Sequence, residues 1–351
     1  PIIGGDLGLS QWRHKIARIN AGVSGAQAVI AMVGDSITSS DYSGPSAMRA
    51  WTSAMFGNGG AGYCSASAAA FVVVPSNITR TRSGTWTDVA FSGSAPYGIG
   101  LDGTYASTTD TGATLTINPT GDVDTYKIYW YRQSGGGSFA WNIGGGPTSV
   151  STAGAESVQV TTITGAADAN LAITIPSAGS GVTILGVECL TTDIGVRVNK
   201  LGCAGISTLG VMQMAKTTYI ESFTAMAPDL VILNLGVNDR SYDAAPSDYK
   251  NRLQQIIDRF RLAVPRVSIL IIGPGDNGQT GKVYTSEEYR LAAWQTAVSN
   301  GCAYSDLGHL FGPYATPDGS TLLSAGIYED TVHPSSEGGQ MISDLYRQVL
   351  V

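Results

Sequence analysis

Apolar and polar positions follow two different rhythms along the chain. The first appears at Ala28-Val29-Ile30-Ala31-Met32, an unbroken apolar run that ends in Val33-Gly34-Asp35-Ser36-Ile37-Thr38. A short apolar run closed by glycine predicts a buried strand and a sharp turn. A helix is expected over 46–56, and its first amides would point back at Ser36. The rhythm returns after residue 193. Strands are expected at 196–199, 229–235, 267–272 and 303–306. Helical spacing covers 207–226, 247–262, 286–298 (with Ser286 as the cap) and 335–350. On 247–262, Leu253, Ile256, Ile257 and Phe260 form one apolar stripe. Strands alternating with helices predict a parallel, doubly wound sheet.

The second rhythm fills the interval between these stretches. After a glycine-dense loop, Phe56-Gly57-Asn58-Gly59-Gly60-Ala61-Gly62-Tyr63, helical periodicity disappears from about residue 71 to 192. Short alternating runs at 85–91, 113–117, 125–131, 157–164, 170–175 and 182–190 are separated by Gly, Ser, Asn, Asp and Pro clusters. Strands at about 8–12-residue spacing suggest a sandwich or jelly roll. Tyr126, Ile128 and Trp130 share one face of a strand, and Lys127, Tyr129 and Tyr131 the other. Exposed rings there could stack on sugars, although filling a core is the commoner use of such residues. The organisation expected is a linker or short helix over 1–25, with an amphipathic segment at 11–20. A discontinuous α/β domain follows over 26–75 and 193–351, interrupted by an inserted β-sandwich over 76–192. Both ends of the insertion are expected to lie close together.

Composition narrows the function classes. Only 13% of the 351 residues are charged, and Gly, Ser, Thr and Ala abound, as in many extracellular proteins. A net charge of −7 without any Lys/Arg cluster argues against nucleic acid as a partner. No apolar run reaches the length of a membrane span, so membrane insertion is not expected. No signal peptide is visible, and Pro1 in place of Met reads as a processed form or a chain cut from something longer. The four cysteines, Cys64, Cys189, Cys203 and Cys302, form no CxxC pair, which argues against a zinc knuckle. One disulfide and four free thiols are equally compatible with their spacing.

Candidate chemistry collects at the turns after the expected strands. Ser36 as a nucleophile needs a base, and the chain has three histidines, His14, His309 and His333. His333 has Asp330 three positions earlier and Pro334 directly after. One tight turn can set that carboxylate against one imidazole nitrogen and leave the other for Ser36, as in a serine triad. Oxyanion donors are also needed. Asn238, in Gly236-Val237-Asn238-Asp239, offers a side-chain amide, and Gly205 offers a backbone N–H that a ligand can approach closely. Asp35 and Asp239 read as braces for their loops rather than as acids.

Taken in order, these turns resemble the SGNH (GDSL-type) hydrolases. Gly34-Asp35-Ser36-Ile37-Thr38 matches the first block. Gly205 in Asn199-Lys200-Leu201-Gly202-Cys203-Ala204-Gly205 matches the second, with Gly202 as the competing position. Gly236-Val237-Asn238-Asp239 matches the third, and Asp330-Thr331-Val332-His333-Pro334 the last. The resemblance covers about residues 28–70 and 194–351. It implies a flavodoxin-like α/β/α sandwich and ester hydrolysis without metal or cofactor, with Ser36, His333 and Asp330 as the triad. It also implies an oxyanion hole made of the Ser36 and Gly205 N–H groups and the Asn238 amide. The long insertion resembles that of bacterial and phage carbohydrate O-acetylesterases, some of which carry a carbohydrate-binding-module-like jelly roll there. The expectation is an extracellular or virion-associated (tail) esterase acting on an acetylated polysaccharide, with room left for a homo-oligomer. The alternatives are a non-catalytic glycan-binding or virion protein, and a lipid or aryl esterase of the same fold.

Overall fold

The structure, a computed structural model, describes residues 5–91, 100–166 and 169–351. Five strands form one parallel sheet in the spatial order Gly195–Gly202, Gln27–Gly34, Leu230–Asn234, Ser268–Gly273, Ala303–Asp306. Numbered along the chain within this sheet, the order is 2-1-3-4-5, the flavodoxin-like arrangement. The order reverses beside Gln27–Gly34, and open α/β sheets bind ligands at the carboxyl end of such a switch point.

Helices cover both faces. Ala28, Ile30 and Met32 pack with Trp12, Met48, Ile342 and Tyr346, from the helices Ser10–Asn20, Pro45–Phe56 and Ser336–Leu350. Val29, Ala31 and Val33 belong to the cluster that holds Phe223, Leu253, Phe260 and Tyr289, from Lys216–Met226, Pro246–Ala263 and Ser286–Asn300. The strand is buried on both faces, which is why its sequence is continuously apolar.

Local expectations shift in three places. The helical spacing over 207–226 is two helices, Thr208–Gln213 and Lys216–Met226, broken where Met214 turns extended. Arg259 makes the break affordable: its guanidinium donates to the carbonyls of Val211, Met212 and Met214. The strand expected at 196–199 runs from Gly195 to Gly202 and accommodates Arg197, Asn199 and Lys200, all buried. The cap of the helix Ser286–Asn300 is Thr285, which forms a reciprocal capping box with Glu288. Ser286 instead donates to Asp276.

Between the first two strands of that sheet, in chain order, the protein builds two antiparallel sheets. One has the order Ser157–Thr164, Thr125–Arg132, Val182–Leu190, Thr104–Thr108, Thr87–Ala90. Gly62–Ser65, from the glycine-dense stretch read as loop, also pairs with Val182–Leu190. The other has the order Ile78–Ser83, Thr114–Pro119, Leu171–Gly179, Gly136–Asn142, Thr148–Ser151. Leu115, Ile128, Phe139, Ile173 and Val187 share a core between the two.

The aromatic faces of Thr125–Arg132 are not an exposed platform. Tyr126 and Ile128 have no accessible surface, and Trp130 only 6%. On the opposite face, Tyr129 is buried in the cluster that includes Phe223 and Met226. This sheet presses its second face on the helix Lys216–Met226, where Lys127 donates to the Ala225 carbonyl and Glu221 accepts from the Val158 N–H. Tyr131 is half-buried. All four cysteines are buried and unpaired.

Candidate active site

Ser36 opens the one-turn helix Ser36–Ser39 directly after Gln27–Gly34. Asp35 caps this helix by accepting from the Ile37 N–H at 3.0 Å. Gly34 has no room for a side chain, because a Cβ there would stand 2.2 Å from Thr38 Oγ1 and 2.5 Å from the Asn234 carbonyl oxygen. The close fit between strand end and helix holds the serine at the carboxyl edge of the sheet.

His333 Nε2 lies 2.9 Å from Ser36 Oγ, and His333 Nδ1 lies 2.7 Å from Asp330 Oδ2. The carboxylate accepts from Nδ1–H, which leaves Nε2 free to accept the serine hydroxyl proton. Asp330 Oδ1 also accepts from the backbone N–H groups of Val332 and His333, so one carboxylate shapes its own turn and orients the ring. Partial burial pushes the Asp330 carboxyl up. The His333 ring and the two backbone donors outweigh that and hold it below its ordinary value. His14 lies on the N-terminal helix and His309 after the last parallel strand, and neither joins this line.

The expected oxyanion donors lie on loops tied to the serine turn. Cys203 N–H donates to the Gly34 carbonyl, which ties the loop after Gly195–Gly202 to the serine turn. Gly205 follows at φ +80°, a conformation that favours glycine. The competing Gly202 is a packing glycine: a Cβ there would meet Ser39 N at 2.2 Å. Among the described residues, neither the Ser36 N–H nor the Gly205 N–H donates to a protein acceptor. Asn238 spends one amide hydrogen on the Ile206 carbonyl at 3.0 Å and keeps the second. Asp239, one residue on, accepts from the Thr208 N–H and hydroxyl, so it clamps the Gly205 loop to the Asn238 turn.

Asp35 is fully buried, and its Oδ2 has no partner. Burial pushes its carboxyl up to about 7, opposed by the Ile37 N–H and the nearby His333. Two supporting residues escape a motif reading. Lys200 is buried and donates to the Ser39 carbonyl at 2.6 Å and to the Val73 carbonyl, so it caps the carboxyl end of the serine's helix. Tyr42 donates to Glu329, beside Asp330. Charged residues inside a buried strand were the available signal for Lys200. Tyr42 had none.

The model of the GDSL-like Lipase/Acylhydrolase family matches residues 186–341, which include Gly205, Asn238, Asp330 and His333. Over that span the chain is similar to GDSL-like hydrolases. Ser36 lies outside the matched span and is joined to the hydrolase residues by the geometry above. Among solved structures, a peptidoglycan O-acetylesterase superposes with a TM-score of 0.82 at 18% identity, covering 99% of each chain. It therefore shares the fold through hydrolase sheet and β region alike. An active site mutant of a family two carbohydrate esterase from Clostridium thermocellum aligns at 14% identity over 76% of this chain and 98% of its own, with a TM-score of 0.33. No curated protein sequence matches the chain.

Proposed function

We propose that this protein is a GDSL-like serine esterase that removes O-acetyl groups from a polysaccharide. The observation that carries the reading is the unbroken line from Ser36 Oγ through His333 to Asp330, with unspent N–H groups at Ser36 and Gly205 and a spare Asn238 amide hydrogen on the adjoining loops. Ser36 Oγ attacks the ester carbonyl as His333 Nε2 takes its proton. The tetrahedral oxyanion sits among the three donors. His333 returns the proton to the sugar oxygen as the C–O bond breaks, leaving an acetyl-serine. Water, deprotonated by His333, then releases acetate and restores Ser36. The acetyl-polysaccharide preference draws on the scarcity of charge, and on the fold shared with a peptidoglycan O-acetylesterase. The extracellular or virion-associated setting belongs to the same proposal.

A fluorophosphonate probe should label Ser36, and Ser36→Ala should abolish both labelling and acetate release from a panel of acetylated glycans. Parental hydrolysis of p-nitrophenyl acetate by Ser36→Ala would overturn the assignment. A steady rise in activity from acetyl to long-chain nitrophenyl esters would point to a lipid esterase instead.

A further inference from the structure

Exposed aromatic rings are scarce in this protein. Among the described residues, only Tyr42 (44%), Phe71 (46%), Tyr242 (64%) and Trp294 (36%) are exposed rings. Three of these four are tethered to the loops that carry the candidate active site. The Tyr242 hydroxyl donates to the Gly205 carbonyl at 3.2 Å. The Phe71 carbonyl accepts from the Ala204 N–H at 2.8 Å and from the Ser39 hydroxyl at 3.0 Å, which fixes this residue between the Gly205 loop and the serine's helix. Tyr42 donates to Glu329, next to Asp330. Tyr242 therefore reaches the Gly205 loop, the Phe71 backbone joins that loop to the serine's helix, and Tyr42 reaches the turn that carries Asp330.

A single exposed ring is ordinary on a protein surface, but several gathered around one candidate site mark a contact surface. Aromatic residues supply much of the energy of contact surfaces, because a rigid ring buries a large area at small entropic cost. A pyranose presents the matching chemistry, with an apolar C–H face bounded by hydroxyls. Tyrosine can cover that face while its hydroxyl stays hydrogen-bonded. Among the described residues of the inserted sheets no ring is fully exposed: Tyr126, Tyr129 and Trp130 are buried, and Trp86, Tyr131 and Trp141 half-buried. We infer that Tyr42, Phe71 and Tyr242 form the glycan-binding surface, stacking on sugar rings on either side of the acetylated unit at Ser36. This rests on the esterase reading and adds where the polymer lies.

The test compares Tyr42→Ala, Phe71→Ala and Tyr242→Ala with Trp294→Ala, on an acetylated glycan polymer and on p-nitrophenyl acetate. The readout is the ratio of kcat/KM on polymer to kcat/KM on the small ester. The first three variants should lower that ratio at least about tenfold each, mainly through KM on the polymer, and Trp294→Ala should leave it at the parental value. Tyr242→Phe, which keeps the ring and loses the Gly205 contact, should retain most of the ratio. Equal losses on both substrates would mean that the rings support only the loops, and would overturn the inference. A Trp294→Ala ratio that falls with the others would overturn it too. Failure of the parent protein to hydrolyse either ester would instead remove the esterase reading itself.

Discussion

Asp35 stands one position before the serine, has no exposed surface, and uses only one of its two carboxylate oxygens. Its carboxyl is raised from 3.8 to about 7 by burial. Below pH 3.8 both the folded and the unfolded chain hold this proton. Between 3.8 and 7 the unfolded chain sheds it first, so this group's contribution to stability falls as pH rises through that window. Asp35→Asn keeps an oxygen for the Ile37 N–H and removes the titration. The variant should melt at a higher temperature than the parent at pH 8, with the difference shrinking towards pH 4. A melting-temperature difference that does not vary with pH would contradict this account of Asp35. Asn238 is argued at the same scale. Loss of one preorganised oxyanion donor costs about 100–1,000-fold in kcat, and stopped assays of Asn238→Ala should show a fall of that size with little change in KM.

The serine's helix is one turn long, and contacts from outside add to its few backbone hydrogen bonds. Gly202 lies under it with no room for a methyl group, and Lys200 caps its last turn. Overfilling a packed contact costs about 1–3 kcal/mol. Gly202→Ala should therefore lower the melting temperature and also displace Ser36, so that kcat falls by more than the loss of folded protein explains. Circular dichroism melts beside active-site titration would separate the two effects. At this scale the sequence is legible where burial is one-sided or complete. Gln27–Gly34, Leu230–Asn234 and Ser268–Gly273 read as apolar runs, and the turns bearing Ser36 and Asn238 read as punctuation after the first two. Ile78–Ser83 and Thr148–Ser151 did not, because these strands at the sheet edge are largely polar. Thr125–Arg132 was legible as a strand but not in its surroundings. Alternation cannot distinguish solvent from a second buried face, and here the second face meets the helix Lys216–Met226.

Across the whole molecule, the inserted sheets and the hydrolase sheet meet at a buried charge. Glu188 on Val182–Leu190 accepts from Arg197 Nε at 2.7 Å, Asn199 Nδ2 at 3.0 Å and the Tyr129 hydroxyl at 2.9 Å. Arg197 and Asn199 belong to the hydrolase sheet, and Tyr129 and Glu188 to the insertion. Removing one partner of a buried pair costs about 3–5 kcal/mol, because the other charge is left uncompensated. Arg197→Met should unfold at a clearly lower denaturant midpoint, and adding Glu188→Gln should recover part of the loss. If the double variant were as unstable as the sum of the two singles, Glu188 and Arg197 would not be acting as a pair. None of this network was visible from motif spacing, since its members are far from the serine, and Tyr129 lies 59 positions from Glu188.

The route of the chain through the hydrolase sheet also sets a timetable. Gln27–Gly34 pairs with Gly195–Gly202 on one side and with Leu230–Asn234 on the other. Both partners are made after the whole insertion. At ribosomal rates of about 5–20 residues per second, this apolar strand waits roughly 10–30 s after emerging before either neighbour exists. If the inserted sheets fold first, they draw residue 62 to residue 189 and so shorten the loop that must close. The loop term grows only with the logarithm of length, so that shortening is worth roughly 1 kcal/mol. The larger gain is kinetic: the insertion acts as a folded splint that delivers Gly195–Gly202 beside a strand that would otherwise be free to aggregate.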